Sequence, residues 1–288
     1  MNAGLLSPLG MLLRDAVITT VTIANSRLRW LVCGSGRSGV TTLLEAFQTR
    51  SDVIPDMPTT EKKVAAKVIK GLTNDGSYRF RTADMRNQPD GRYQYLEEII
   101  HRPIGVLFVF KTFKTDEKGA VIDTHLEDKS EFKKTKDGHI RHEADYQQLR
   151  WLTNAFLYPE TLEKNYPEIF KDTSLKSDIR YRYLNNYSGS APKILMLAGN
   201  FMDVTYPTDN VTNPYEAKHN LRHFLRPYME SFQPLTDQWA RFARKGGFII
   251  KSDLPPCAVK YTTISAKYHI GVDELLSTMK HSVGLFGG

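Results

Sequence analysis

The chain has 288 residues, 41% hydrophobic and 25% charged, which suits a folded protein with a sizeable buried core. Its formal net charge of +7 is dispersed: lysines alternate with acids in "KTDEKGAVIDTHLEDKSEFKKTKDG", a solvated face rather than a nucleic-acid stripe, so no nucleic-acid partner is expected. Cys33 and Cys257 are too few for a disulfide framework or a cysteine zinc site, and no apolar run approaches the roughly 20 residues of a membrane-spanning helix.

In chain order, residues 1–26 read as an N-terminal extension in which Arg14 and Asp15 interrupt the apolar residues, unlike a secretory leader. A cytoplasmic protein without a transmembrane segment is the expectation. "RLRWLVCG" is then a short run of strand formers. After it come Gly34, Gly36 and Gly39, followed by Val40, Leu43, Leu44 and Phe47 at helical spacing. Strand, glycine-rich turn and helix in that order make a phosphate-binding loop, because glycines let the backbone turn tightly and aim its N–H groups at an anion. The template G-x-x-x-x-G-K-[ST] is met at Gly34, Gly39 and Thr41 and fails at Val40, where lysine belongs. Gly34, Ser35, Gly36, Arg37, Ser38, Gly39, Val40, Thr41 and Thr42 are the expected phosphate-binding set, with Thr41 placed to hold a magnesium ion.

"VAAKVIKGLTNDGSYRFRTAD" reads as two strands joined by a turn at Asn74, Asp75 and Gly76. "RPIGVLFVFK" and "APKILMLAGN" are continuous apolar runs of the kind found in strands buried on both faces of a parallel sheet. Residues 113–190 between them read as an insertion. Within it "EADYQQLRWLTNAFLYP" is an expected helix, with Leu149, Leu152 and Phe156 on one face, and its flanks are polar and turn-rich. His139 and His142 stand in one of those flanks without nearby cysteines, which does not make a metal site. A second enlarged segment, residues 204–256, carries Leu221, Phe224, Leu225, Tyr228 and Phe232 on one core-facing helix face, continued by Trp239 and Phe242 past Pro234. Val272, Leu275, Leu276 and Met279 mark a last helix.

Along these elements lie further short motifs. Thr59 and Thr60 precede the first hairpin strand, "DMRNQ" follows the second, Asn200-Phe201-Met202-Asp203 closes an apolar run, and Ser265-Ala266-Lys267 follows the last strand-like run. Taken with the glycine loop, the set resembles the Ras-like and Arf-like small GTPases over residues 27–112 and 191–283. The resemblance implies an α/β fold: a three-layer P-loop GTPase-like domain over residues 27–288, with a mostly parallel central sheet, one antiparallel hairpin strand, and helical and loop insertions. It also implies roles. Thr60 (or Thr59) and Asp84 join Thr41 on Mg2+, and Gln88 orients the attacking water. Asn200, Phe201, Asp203, Ser265, Ala266 and Lys267 surround the base of GTP or GDP. Asp203 accepts from guanine N1–H and its 2-amino group, and the Ala266 N–H contacts O6. Three ligand-facing positions depart from the family: Val40 and Phe201 replace lysines, and Asn87 replaces a glycine.

Three functions stay open at this point. One is a guanine-nucleotide-binding switch with slow or absent hydrolysis, a GTP hydrolase of low activity. Another is a pseudo-GTPase scaffold or interaction module without turnover. The third, a P-loop ATPase or small-molecule kinase, leaves Asn200, Asp203 and Ala266 unexplained. A protein partner would engage the switch segments or the insertions. Arg37, Lys62 and Lys63 are the cations weighed as substitutes for the missing lysine.

Overall fold

The strand-forming runs of the sequence lie side by side. In the computed structural model, which describes residues 29–47, 68–70, 79–82, 89–118, 120–122, 129–171, 177–205, 214–242 and 257–286, the strands are β1 (Arg29–Gly34), β2 (Val68–Lys70), β3 (Arg79–Thr82), β4 (Gly105–Lys111), β5 (Phe132–Lys134), β6 (Ile140–His142), β7 (Ile194–Asn200) and β8 (Ala258–Thr263). Six of them form one sheet in the order β2-β3-β1-β4-β7-β8, and β5 and β6 form a separate ribbon. Every neighbouring pair in the large sheet is parallel except β2 with β3. The fold is therefore the expected α/β one, a mostly parallel sheet with an antiparallel hairpin strand at its edge. The Asn74–Gly76 turn lies outside the described residues.

The helices are α1 (Val40–Ala46), α2 (Pro89–Ile100), α3 (Glu143–Leu157), α4 (Pro159–Asn165), α5 (Pro167–Lys171), α6 (Ser177–Tyr181), α7 (Met202–Thr205), α8 (Pro214–Arg241) and α9 (Val272–Phe286). Strand alternation sorts them into layers. Trp30, Val32, Leu107, Val109, Met196 and Ala198 pack with α1 and α9, while Leu31, Cys33, Phe108, Phe110, Leu195 and Leu197 pack with α2, α3 and α8. Because both faces are covered, β4 and β7 are buried along their whole length, which is why they read as unbroken apolar runs.

Residues around α3 are more ordered than their polar composition suggests. Where the sequence reads as turn-rich, α4, α5 and α6 follow one another, and Leu162, Ile169, Phe170, Ile179 and Tyr183 are buried in the same core as the sheet. The physical reason is aromatic: Tyr183 stacks between Phe170 and Tyr187, with centroids 5.8 and 5.3 Å away, and its hydroxyl donates to the Ala155 carbonyl at 2.7 Å. α8 continues through Pro227 and Pro234. Its Trp239 indole N–H donates to Thr153 Oγ1 at 2.8 Å, fixing α8 to α3.

The connections define where a ligand fits. From β1 the chain moves to β2 and β3 on one side, whereas from β4 it moves to β7 and β8 on the other. The carboxyl ends of β1 and β4 thus flank the point where strand order reverses. Loops leaving in opposite directions open a crevice there, the usual ligand position in open parallel sheets.

Candidate functional site

The glycine loop leaves β1 at this crevice. Ser38 N–H donates to the Ser35 carbonyl at 3.1 Å, and Leu43 N–H donates to the Gly39 carbonyl at 2.9 Å, so the turn closes directly into α1. Arg37 and Gly39 both have left-handed backbone, with φ of 61° and 84°. That curl lets successive N–H groups converge on an anion. A Cβ on Gly39 would lie 2.2 Å from Asn200 Nδ2, and one on Gly34 would lie 2.4 Å from Ser38 Oγ and from the Val109 carbonyl, so both positions require glycine.

Side chains in the loop divide by environment. Val40 is 4% exposed and packs with Leu43 and Leu44 in the α1 core, so it can offer a ligand only its backbone. Arg37 is exposed, and Thr41 and Thr42 are half-buried at the start of α1. Ser38 is buried, and its hydroxyl has no hydrogen-bond partner among the described residues. An orphaned hydroxyl inside a curled glycine loop fits a phosphate group, whose oxygens would accept from it.

Asn200 joins the loop to the far end of the sheet. Its Nδ2 donates to the Ser38 carbonyl at 2.9 Å, and its Oδ1 accepts from the Ala266 N–H at 3.0 Å. Asn200 is buried, so one amide satisfies two otherwise stranded backbone groups. Phe201 follows with left-handed φ of 71°, and Asp203 stands half-buried in α7. Ser265 and Ile270 exchange backbone hydrogen bonds at 3.0 Å, while the Ser265 hydroxyl accepts from the Tyr268 N–H at 3.3 Å. Lys267 is half-buried with its ammonium 5.8 Å from the Tyr268 ring centroid.

Three of the sequence-predicted groups, Gly34–Thr42, Asn200–Asp203 and Ser265–Lys267, are thus placed at one edge of the sheet. Thr59, Thr60, Asp84, Asn87 and Gln88 lie outside the described residues, as do Lys62 and Lys63. No helix among the described residues is long and apolar enough to cross a membrane, and no group of three metal-ligating side chains is found among them.

Asp145, Glu131 and Lys111 escape sequence reading, and His142 enters it only as one of two histidines that make no metal site. Asp145 of α3, 1% exposed, accepts a hydrogen bond from the Ser35 hydroxyl on Oδ1 and from the Lys111 backbone N–H at 3.0 Å on Oδ2. His142 places Nδ1 2.9 Å from Asp145 Oδ2 and Nε2 2.5 Å from Glu131 Oε2. Burial lowers the His142 pKa, but the hydrogen bond and charge of Asp145, with Glu131, outweigh it and raise the net value; the Lys111 charge opposes them. An imidazolium donating to two carboxylates is the species this geometry favours. Lys111 itself, at the end of β4, is 7% exposed. A signal for Asp145 did exist: it lies four residues before Leu149, in the stripe that α3 buries.

No protein-family model and no curated protein matches the chain. Among solved structures, it is similar to translation elongation factor SelB from Methanococcus maripaludis at 12% identity and TM-score 0.40, over 89% of this chain and 34% of that one. The chain therefore spans about a third of SelB. It is also similar to the Arl6 BBS3 small GTPase from Trypanosoma brucei, solved with a bound nucleotide analogue, at 12% identity and TM-score 0.34, over 89% and 97% of the two chains. A GTP-binding protein from Sulfolobus solfataricus, in complex with GDP, matches at 11% identity and TM-score 0.37, over 96% and 59%. At such scores these neighbours do not say what the chain binds. Its own sheet topology, with a glycine loop after β1, defines a P-loop GTPase-like fold.

Proposed function

We propose that the protein is a guanine-nucleotide-binding, GTPase-like switch with a lysine-less phosphate loop and slow or absent hydrolysis, acting in the cytoplasm. The observation that carries this reading is the Asn200 amide, which clasps Ser38 of the phosphate loop and Ala266 of the Ser265–Lys267 loop in one buried contact. Phosphate-facing and base-facing segments are thereby held in fixed relation. Asp203, three residues after Asn200, is the acceptor for guanine N1–H and the 2-amino group, a pattern adenine does not offer. Phe201 stacks on the base in place of a lysine stem.

Thr41, Thr60 and Asp84 are the residues that would hold Mg2+, whose charge would offset that of the phosphates. Gln88 positions water for the attack on the terminal phosphate. With Val40 buried and apolar, the loop supplies no lysine charge to the transferring group, which is the reason for slow turnover. The same observation favours a second reading, a pseudo-GTPase that binds nucleotide and engages a protein partner through the switch segments or the 113–190 insertion. Nucleotide extraction from the purified protein, followed by multiple-turnover assays with GTP and ATP, separates the two. Bound GDP or GTP with slow release of phosphate supports the switch; bound nucleotide without turnover supports the pseudo-GTPase; turnover of ATP alone contradicts both.

A further inference from the structure

We infer that Lys111 is the phosphate-binding cation of this site, replacing from β4 the lysine that the glycine loop lacks at Val40. The inference rests on the guanine-nucleotide reading above and deepens it. β4 pairs with β1 so that Gly34 lies opposite Val109, which puts Lys111 just beyond the start of the glycine loop, at the carboxyl edge where strand order reverses. On its other side Lys111 is paired with Asn200, the residue that clasps the loop. The lysine therefore stands between the loop and its clasp.

Direction follows from strand alternation. Val106, Phe108 and Phe110 face the core under α3 and α8, whereas Leu107 and Val109 face the core under α1. Lys111 has the parity of Leu107 and Val109, the face on which Val40 packs. Ser38 Oγ lies on this face as well, since a Cβ on Gly34 would meet Ser38 Oγ, the Val109 carbonyl and Val40 Cγ2 together. The orphaned Ser38 hydroxyl and the Lys111 side chain thus share one side of the crevice.

Burial makes the case chemical rather than topological. Lys111 is 7% exposed, and its ammonium makes no hydrogen bond or ion pair with any described residue. A lysine so enclosed, without an ion partner and close enough to His142 for its charge to lower that pKa, is costly without an anion. Its backbone is nonetheless held: Asp145 takes the Lys111 N–H on one carboxylate oxygen and the Ser35 hydroxyl on the other. Asp145 is a positioning residue that ties the lysine-bearing strand end to the phosphate loop. The anion completing this arrangement is the outer phosphate of a nucleoside di- or triphosphate.

The test is calorimetry on the full chain, parent and Lys111→Met, with GTP, GDP, guanosine and inorganic pyrophosphate, alongside thermal melts without ligand. Lys111→Met is expected to weaken GTP and GDP roughly 10- to 100-fold, the loss of one charge-assisted contact, while guanosine binds within about twofold of the parent. The ligand-free variant should melt no lower than the parent, because a largely enclosed lysine without an ion partner among the described residues has been removed. Binding of pyrophosphate alone, without guanosine or GDP, would leave Lys111 as an anion site but overturn the nucleotide it is assigned to. Unchanged GDP and GTP affinity in Lys111→Met would overturn the inference and leave the guanine reading standing. A parent that binds no guanine ligand removes both. If Lys111→Met fails to fold, Lys111→Gln carries the same comparison, and failure of both makes Lys111 a structural group and overturns the inference.

Discussion

Asp145 and Ser35 are 110 residues apart in sequence, and the Ser35 hydroxyl donates directly to the Asp145 carboxylate. That contact fastens α3 to the phosphate loop, and the second Asp145 oxygen fastens it to β4 through the Lys111 N–H at 3.0 Å. Asp145→Ala leaves a buried hydroxyl, a backbone N–H and His142 Nδ1 without their acceptor at once. We expect a loss of about 3–5 kcal/mol in folding stability, read by urea denaturation, with weaker phosphate binding in whatever remains folded. Asp145→Asn keeps an acceptor and should cost less. Equal stability of Asp145→Ala and parent would remove the bridge.

His142 makes the same bridge sensitive to pH. Its pKa is raised in the folded protein above the ordinary value of 6.5, through Asp145 and Glu131 against burial and the Lys111 charge. Its stabilising contribution is therefore fully present below pH 6.5 and is lost as pH rises through the folded pKa. Denaturation midpoints measured from pH 5.5 to 8.5, an interval of our choosing around the ordinary histidine value, should fall across the upper part of that range in the parent and flatten in His142→Gln. A parent profile no steeper than that of the variant would show that His142 is not protonated in the folded state.

Asn200 carries the clasp among the described residues. In Asn200→Ala the Ser38 carbonyl and the Ala266 N–H lose their partner within the core, which should cost about 2–4 kcal/mol and abolish measurable nucleotide binding. Gly39→Ala attacks the same contact from the other side, since its Cβ would fall 2.2 Å from Asn200 Nδ2 at a left-handed residue. We expect that change to cost about 1–3 kcal/mol. Chemical denaturation measures both, and a neutral Gly39→Ala would mean that the loop can retreat from Asn200.

Much of this site is written locally in the chain. The unbroken apolar runs of β4 and β7 announce strands covered on both faces, and the glycine spacing of residues 34–39 announces the loop, because each depends on neighbours within a few residues. Asn200 and Ala266 are legible as parts of short motifs. Lys111 and Asp145 are not, since a lysine ending an apolar strand and an aspartate beginning a helix are ordinary by local pattern. Their significance comes from tertiary pairing, β4 beside β1 and α3 across the end of both. The polar Asp145, Gln148 and Thr153 within the buried stripe of α3 hint that this helix meets something other than apolar core.

Under the proposed function Gln88, four residues after Asp84, would position the attacking water. Steady-state release of phosphate from GTP should already be slow in the parent and fall roughly tenfold or more in Gln88→Leu. If the variant hydrolyses GTP as fast as the parent, "DMRNQ" does not perform this role.

The central claim is guanine recognition, and calorimetric titration of the magnesium-supplemented protein with GDP and with ADP tests it most directly. GDP should bind roughly tenfold or more tightly than ADP, and Asp203→Ala should erase about 1.5–3 kcal/mol of that preference, the worth of hydrogen bonds to a charged acceptor. Equal affinity for the two nucleotides, or a preference that survives Asp203→Ala unchanged, would contradict it.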